Sequence, residues 1–149
     1  MKHISSILPL TLILLNSNLA GETPEPLPAE ELSWFYTLAV QRGPENFSFS
    51  LMKEGWLAFD TWSDGDEMKE NRIEISAAQF SSLKDRFENL FEYLESVEFE
   101  NSNDDFSYAF ERVTDSVTTL EFSGNHPKLT NFLNELSKTS GMPLPFQIE

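Results

Sequence analysis

The sequence predicts an α+β fold, an antiparallel sheet of about six strands with two helices packed on one of its faces. Two stretches repeat apolar residues at the three- and four-residue steps of an amphipathic helix. Short segments rich in aromatic and branched residues, several of them alternating with polar ones, precede each helical stretch. The expected order along the chain is β-β-β-β-α-β-β-α.

The first helix has the clearest local signal. Ser76 and Gln79 have the spacing of a capping box, and Ile75 and Phe80 can form a hydrophobic staple around it. The apolar stripe that follows predicts a helix buried along one side; it contains Phe80, Leu83, Phe87, Leu90, Phe91 and Leu94.

A second, shorter helix is predicted to begin at Pro127, capped by Asn125 or His126. Its apolar residues are Leu129, Phe132, Leu133 and Leu136. It should end at Ser140 and Gly141, because Pro143 and Pro145 prevent continuation. We expect the tail residues Leu144, Phe146 and Ile148 to pack against the body of the domain.

Six segments read as strands: Trp34–Gln41, Asn46–Met52, Trp56–Trp62, Asn71–Ile75, Phe106–Val113 and Ser116–Phe122. In the third segment, alternation predicts that Leu57 and Phe59 face inward. Trp56, Asp60 and Trp62 should then face outward.

The order of these elements resembles a family of uncharacterised bacterial exported domains with a hairpin-helix-hairpin-helix arrangement. Its Ile-Ser-x-x-x-Phe-x-x-Leu helix start matches Ile75, Ser76, Phe80 and Leu83. Segments Thr118–Phe122 and Pro127–Leu136 match its later part, although an aromatic hairpin replaces the usual glycine-rich one. The topology alone is also similar to protease inhibitors of the emfourin type. The resemblance implies a fold and no catalytic residue.

The N-terminus has the features of a signal peptide. Lys2 and His3 precede the apolar run Ile4–Leu15, which is too short to span a bilayer, and Ala20 suits cleavage. We therefore expect a signal peptide over 1–20, a Pro/Glu-rich spacer over 21–31 and a single domain over 32–149. The expected location is the periplasm or the exterior of a Gram-negative bacterium, with no membrane anchor after cleavage.

The composition favours a protein partner and excludes nucleic acid. The chain carries a net charge of −15, and removal of Lys2 with the signal peptide would make it −16. Such a charge repels nucleic acid and anionic membranes and attracts basic proteins, although acidity can also serve solubility alone. We expect the protein to be a monomer. It should contain no disulfide bonds, because the chain has no cysteine.

The sequence offers few residues for catalysis, so we expect neither an enzyme nor a cofactor. After signal cleavage His126 is the single histidine, and no thiol exists to act as a nucleophile. The lack of cysteine and the single histidine also argue against a zinc site.

Acidic loops leave calcium open as an alternative. Asp64, Asp66 and Glu67 cluster near a hairpin end, and a second group lies within 101–105. Neither has the spacing of an EF-hand loop, and solvated loops explain both. Paired carboxylates could also support glycoside hydrolysis.

The best candidate for a binding surface is an outward aromatic set with one acid: Phe35, Trp56, Asp60 and Trp62. Tryptophan beside a carboxylate suits a basic or amphipathic partner. The alternative is that the tail or the spacer covers these rings as a second small core. The sequence thus favours a small acidic binding protein, such as a periplasmic inhibitor or immunity protein against a cationic enzyme. A carboxylate-based hydrolase and an envelope accessory protein remain the alternatives.

Overall fold

A computed structural model of the chain describes residues 28–98, 106–124 and 126–148, together with the backbone of residues 3–5. The described part forms one antiparallel sheet with two α-helices, which confirms the predicted fold class. The strands are β1 (His3–Ser5), β2 (Trp34–Arg42), β3 (Glu45–Met52), β4 (Leu57–Ser63), β5 (Lys69–Ile73), β6 (Phe106–Val113) and β7 (Val117–Ser123). The helices are α1 (Ala77–Ser96) and α2 (Pro127–Ser140), and a short 3-10 turn spans Ala29–Glu31.

The sheet consists of a four-stranded meander and a hairpin that meet at its centre. Strands β2 to β5 follow one another across the sheet, and α1 then returns the chain so that β6 pairs with β2. The spatial order is β1-β7-β6-β2-β3-β4-β5. The longest strand, β2, therefore lies in the interior of the sheet, as its apolar sequence predicts.

Strand β1 is an addition to the six predicted strands. It pairs with the outer edge of β7, with Ile4 opposite Leu120. It belongs to the segment that we assign to the signal peptide, and cleavage after Ala20 stays a prediction. Residues 1–2 and 6–27, which include the rest of that segment and most of the spacer, lie outside the described residues.

Helix α1 begins with the predicted capping box. The Ser76 hydroxyl accepts the Gln79 amide proton at 3.1 Å, and the Gln79 side chain accepts the Ser76 amide proton at 2.9 Å. Five residues of the predicted stripe are buried, namely Leu83, Phe87, Leu90, Phe91 and Leu94. Neither of the described helices combines the length and apolar character needed to cross a bilayer.

Helix α2 starts at Pro127 and ends at Gly141, whose φ of 71° is the left-handed conformation that glycine adopts easily. His126 occupies the N-cap position, as predicted, but its side chain makes no cap hydrogen bond. Its ring Nε2 instead donates to the Ser123 carbonyl at 2.8 Å, so the imidazole faces back toward β7. Asn125, the other predicted cap, lies outside the described residues.

Both helices pack on the same face of the sheet, where the aromatic rings form one core. Phe87 of α1 stacks on Tyr36 at 5.4 Å and meets Phe132 of α2 edge-on at 4.8 Å. The tail joins this core, because Phe146 contacts Phe47 at 5.2 Å and Ile148 is buried. The expected packing of the tail is therefore confirmed, and it occurs on the helix side.

Candidate binding groove on the tryptophan face

The sheet face opposite the helices has small side chains along its centre; we call it the tryptophan face. Its inner residues are Thr37 and Ala39 on β2, Ser48 and Ser50 on β3, and Ala58 on β4, all of them buried. They alternate along the strands with the large core residues. Because these side chains are small, the centre of the face forms a depression, and larger side chains lie at its margins.

A groove of about 440 Å³ opens on this face. All three tryptophans of the chain, Trp34, Trp56 and Trp62, line it, together with Met52 and Met68. Hydroxyl-bearing residues of β2 and β3 form part of its lining, where Thr37 donates to Ser50 at 3.0 Å. The groove thus combines aromatic walls with a polar floor, the usual composition of a ligand site.

Three of the four predicted binding residues, Trp56, Asp60 and Trp62, lie together in this groove. Trp56 itself precedes β4, since the strand begins at Leu57 opposite Leu51. Both tryptophans are partly exposed, so the described residues do not close over them as a second core.

The outward orientation predicted for Phe35 is wrong. The pairing register with β3 shifts between Trp34 and Tyr36, and this bulge turns Phe35 toward the helix side. There its ring packs on Phe80 at 6.1 Å and lies 4.2 Å from the Lys84 ammonium. Trp34, and not Phe35, lies on the tryptophan face.

Trp34 is held as a fixed wall of the groove. Its indole Nε1 donates to Glu111 Oε1 at 2.8 Å, and the Glu111 side chain is 2% exposed. Burial raises the pKa of Glu111, although the bonds from Trp34 and Thr119 oppose that rise. Trp34 also packs beside a second small cluster of Ala29, Leu32 and Val113. Residues of the predicted spacer and the start of the domain therefore form a second small core, but only beside Trp34.

Asp60 is the carboxylate that the groove places among the rings. It lies opposite Ser48 on β3 and Glu70 on β5. Burial, and then the neighbouring Glu70 charge, raise the pKa of Asp60 to about 6, against the effect of a bond from the Asn71 backbone. Across residues 28–98, 106–124 and 126–148, no lysine or arginine forms an ion pair with Asp60.

The nearest cation in the groove lining, Arg72, is engaged elsewhere. Its guanidinium carbon lies 4.5 Å from the centre of the Trp56 ring, and its Nε contacts Glu74 at 2.7 Å. Arg72 therefore shows that a cation can stack on Trp56, and it pairs with Glu74 and not with Asp60.

The calcium alternative gains no support. Within the described ranges, no three acidic, histidine or cysteine residues are grouped so as to hold a metal ion. Asp64 accepts a bond from Asn46 at 3.2 Å and thereby closes its own turn, while Asp66 and Glu67 are exposed. The second acidic group, within 101–105, lies outside the described residues.

Sequence reasoning missed three residues of this face: Trp34, Glu70 and Glu111. Glu70 precedes the predicted strand Asn71–Ile75, whereas β5 begins at Lys69; its residues are mostly polar and give no alternation that would mark the start. Alternation in β6 places Glu111 on the face opposite Phe110, but its bond to Trp34 joins two strands far apart in sequence. A tryptophan at the start of an interior strand was the one local signal available for Trp34.

Comparison of the chain with protein-family models, curated proteins and solved structures finds no match. The features that bear on function are the geometry of the groove and the net charge of −15.

Proposed function

We propose that this protein is an exported acidic binding protein that captures a basic partner protein on its tryptophan face. The observation that carries the proposal is the groove itself, in which partly exposed tryptophans flank Asp60, a carboxylate that forms no ion pair within the described residues. An inhibitor or immunity protein against a cationic enzyme of the periplasm is the role that fits best.

The rings of the groove supply the affinity in this proposal. Tryptophan side chains in partly desolvated clefts dominate the binding energy of many interfaces, and truncating one typically costs about 2 kcal/mol or more. Trp34 is held by Glu111, so little side-chain entropy is lost when a partner packs against it.

The charge supplies selectivity and speed. At −15 the chain attracts a basic protein from a distance and repels acidic ones. Surface charges of this kind mainly raise the association rate, so capture should weaken as salt rises.

The proposal can be tested with mature protein (residues 21–149) immobilised and exposed to a bacterial envelope extract. We expect a basic protein to be retained and to be released by about 0.5 M salt, where screening is strong. Trp62→Ala should abolish retention, whereas Asp115→Asn, a charge change in the exposed β6–β7 turn, should leave it intact. The retained protein should then bind in purified form with the same dependence on Trp62.

Two results would contradict this role. One is that wild-type protein retains no basic protein at low salt. The other is that Trp62→Ala retains the same proteins as wild type, because capture would then not use the groove.

A carboxylate-based hydrolase is a second candidate, favoured by one observation. Asp60 and Glu70 face each other across β4 and β5 beside the tryptophans, and a pKa of about 6 would allow Asp60 to act as a general acid. Sugar rings also stack well on tryptophan. If turnover of a glycoside panel is found and both Asp60→Asn and Glu70→Gln abolish it, the hydrolase replaces the binding protein.

A further inference from the structure

We propose that the groove is a receptor for a single lysine or arginine side chain of the partner, with the cationic head beside Asp60 and the alkyl stem against Trp62. The inference rests on the proposed function, since it assumes a basic protein partner, and it names the chemical group that the groove recognises.

Asp60 has no ion-pair partner among the described residues. Asp60 and Glu70 are cross-strand neighbours on one face, and like charges in that position destabilise a sheet. Glu70 is exposed and solvated, whereas Asp60 is partly withdrawn from water. Among the described residues no lysine or arginine forms an ion pair with Asp60, because its diagonal neighbour Arg72 stacks on Trp56 and pairs with Glu74. An incoming ammonium or guanidinium group would therefore be the direct partner of the Asp60 carboxylate.

The aromatic walls of the groove suit a cation. Tryptophan is the aromatic side chain that attracts cations best, and Arg72 on Trp56 is an example within this same groove. Trp62 lies two residues from Asp60 on β4, so its ring and the carboxylate lie on the same side of the sheet. Ring and carboxylate together favour a cation over a neutral apolar group.

The size of the groove matches a single side chain. A volume of about 440 Å³ is near the lower end for ligand pockets, about 300–1,000 Å³, and suits one inserted side chain better than a helix or a strand. The small floor residues Ser48 and Ala58, each beside Asp60 on the same face, leave that depth free.

The charged groups that face Asp60 set its dependence on pH. They are Glu70 from β5 and, diagonally, Arg72, while its β3 neighbour Ser48 is uncharged. Because the pKa of Asp60 is raised to about 6, its carboxyl loses its charge as the pH falls through that value. Recognition of a cation should weaken over the same interval.

The test uses three capped Gly-Ser pentapeptides that carry lysine, arginine or norleucine at the centre. Binding to mature protein is followed by the indole N–H resonances of Trp34, Trp56 and Trp62. We expect saturable shifts of the Trp62 resonance with the lysine and arginine peptides and none with norleucine. Asp60→Asn should weaken binding of the lysine peptide about tenfold or more, the usual loss of a charged hydrogen bond. Asp115→Asn should leave it unchanged.

Each outcome decides one point. Equal binding of norleucine and lysine, or full binding by Asp60→Asn with an otherwise unchanged indole spectrum, would overturn the cation receptor. If that occurs while the Trp62-dependent capture of a basic protein persists, the proposed function stands and this inference alone fails. If Asp60→Asn does not fold, Glu70→Gln provides the second variant. Removal of the Glu70 charge lowers the pKa of Asp60, so the lysine peptide should bind this variant more tightly than wild type at pH 5. Equal binding by the two proteins at pH 5 would also overturn the inference.

Discussion

The two faces of the central sheet differ in what they bury and in what they leave accessible. On the helix side, large rings such as Phe49, Phe87 and Phe110 interlock and are fully buried. On the tryptophan face, serine, threonine and alanine occupy the centre, and partly exposed tryptophans stand at the margin. The first face has the composition of a core, and the second has the composition of an interface.

The helix side of the strands therefore provides the stability of the fold, and the tryptophan face of the same strands provides the proposed binding site. Substitutions on the helix side should change folding stability, and substitutions on the tryptophan face should change binding. The predictions below test that separation, from the largest expected effect to the smallest.

Phe87→Ala should cause the largest loss, about 3–5 kcal/mol of unfolding free energy, because it leaves a cavity among packed rings. Phe87 is fully buried and contacts Tyr36, Phe110 and Phe132. Urea unfolding measures the effect. Tyr93→Ala, at a ring on the same helix that is 40% exposed, is the control and should change stability by less than about 1 kcal/mol. Equal losses in both variants would contradict the assignment of the core.

Glu88→Gln should cost less, about 1–3 kcal/mol, because it weakens a polar network at the helix–sheet boundary. The Glu88 carboxylate accepts bonds from the Tyr36 hydroxyl and, at 2.9 Å, from Arg112 Nη1. Burial and then this bond raise the pKa of Tyr36. Thermal unfolding checks the loss. The matched variant Glu135→Gln, in an exposed pair with Arg86, should change little.

Most of the fold was predictable, because it depends on local patterns. The capping box of Ser76, the apolar stripe of α1 and the alternation of β3 each fix an element without reference to distant residues. Strand order was not predictable in the same way, since the pairing of β2 with β6 joins segments separated by the whole of α1. Only the antiparallel character and the side taken by the helices followed from the order of elements.

Ser76→Ala should lower stability by about 1 kcal/mol, because it removes the hydroxyl that accepts the Gln79 amide proton. Ser81→Ala, at an exposed position inside the same helix, is the control. It should be neutral or slightly stabilising, since alanine has the higher helix propensity. The difference between the two variants in urea unfolding isolates the cap from the propensity.

Asp60→Asn should have the smallest effect on stability and the opposite sign. A pKa raised from 3.8 to about 6 means that the folded protein holds the proton more tightly than the unfolded chain. The charged carboxylate therefore destabilises the fold fully above about pH 6 and not below about pH 4. After allowance for its partial exposure, we expect Asp60→Asn to gain up to about 1 kcal/mol at pH 7 and nothing at pH 4. Asp115→Asn should show no such pH dependence.

The candidate site was predicted only in part, for reasons that particular residues illustrate. The alternation of residues correctly predicted that Trp56, Asp60 and Trp62 lie on one face, because β4 is regular. The same pattern gave the wrong face for Phe35, because a bulge between Trp34 and Tyr36 changes which face the preceding residues point to. The sequence contains no signal for that bulge. The pattern also missed Glu70, whose strand has no apolar alternation to identify it.

The most direct test of the account compares the two faces during binding. The indole N–H resonances of Trp56 and Trp62 report on the tryptophan face, and the backbone amides of exposed α1 residues such as Ser81 and Asp85 report on the helix side. On titration with the captured basic protein, we expect the indole resonances to shift while the amides of α1 keep their positions. Shifts confined to α1, with both indole resonances unmoved, would contradict the claim that binding occurs on the tryptophan face.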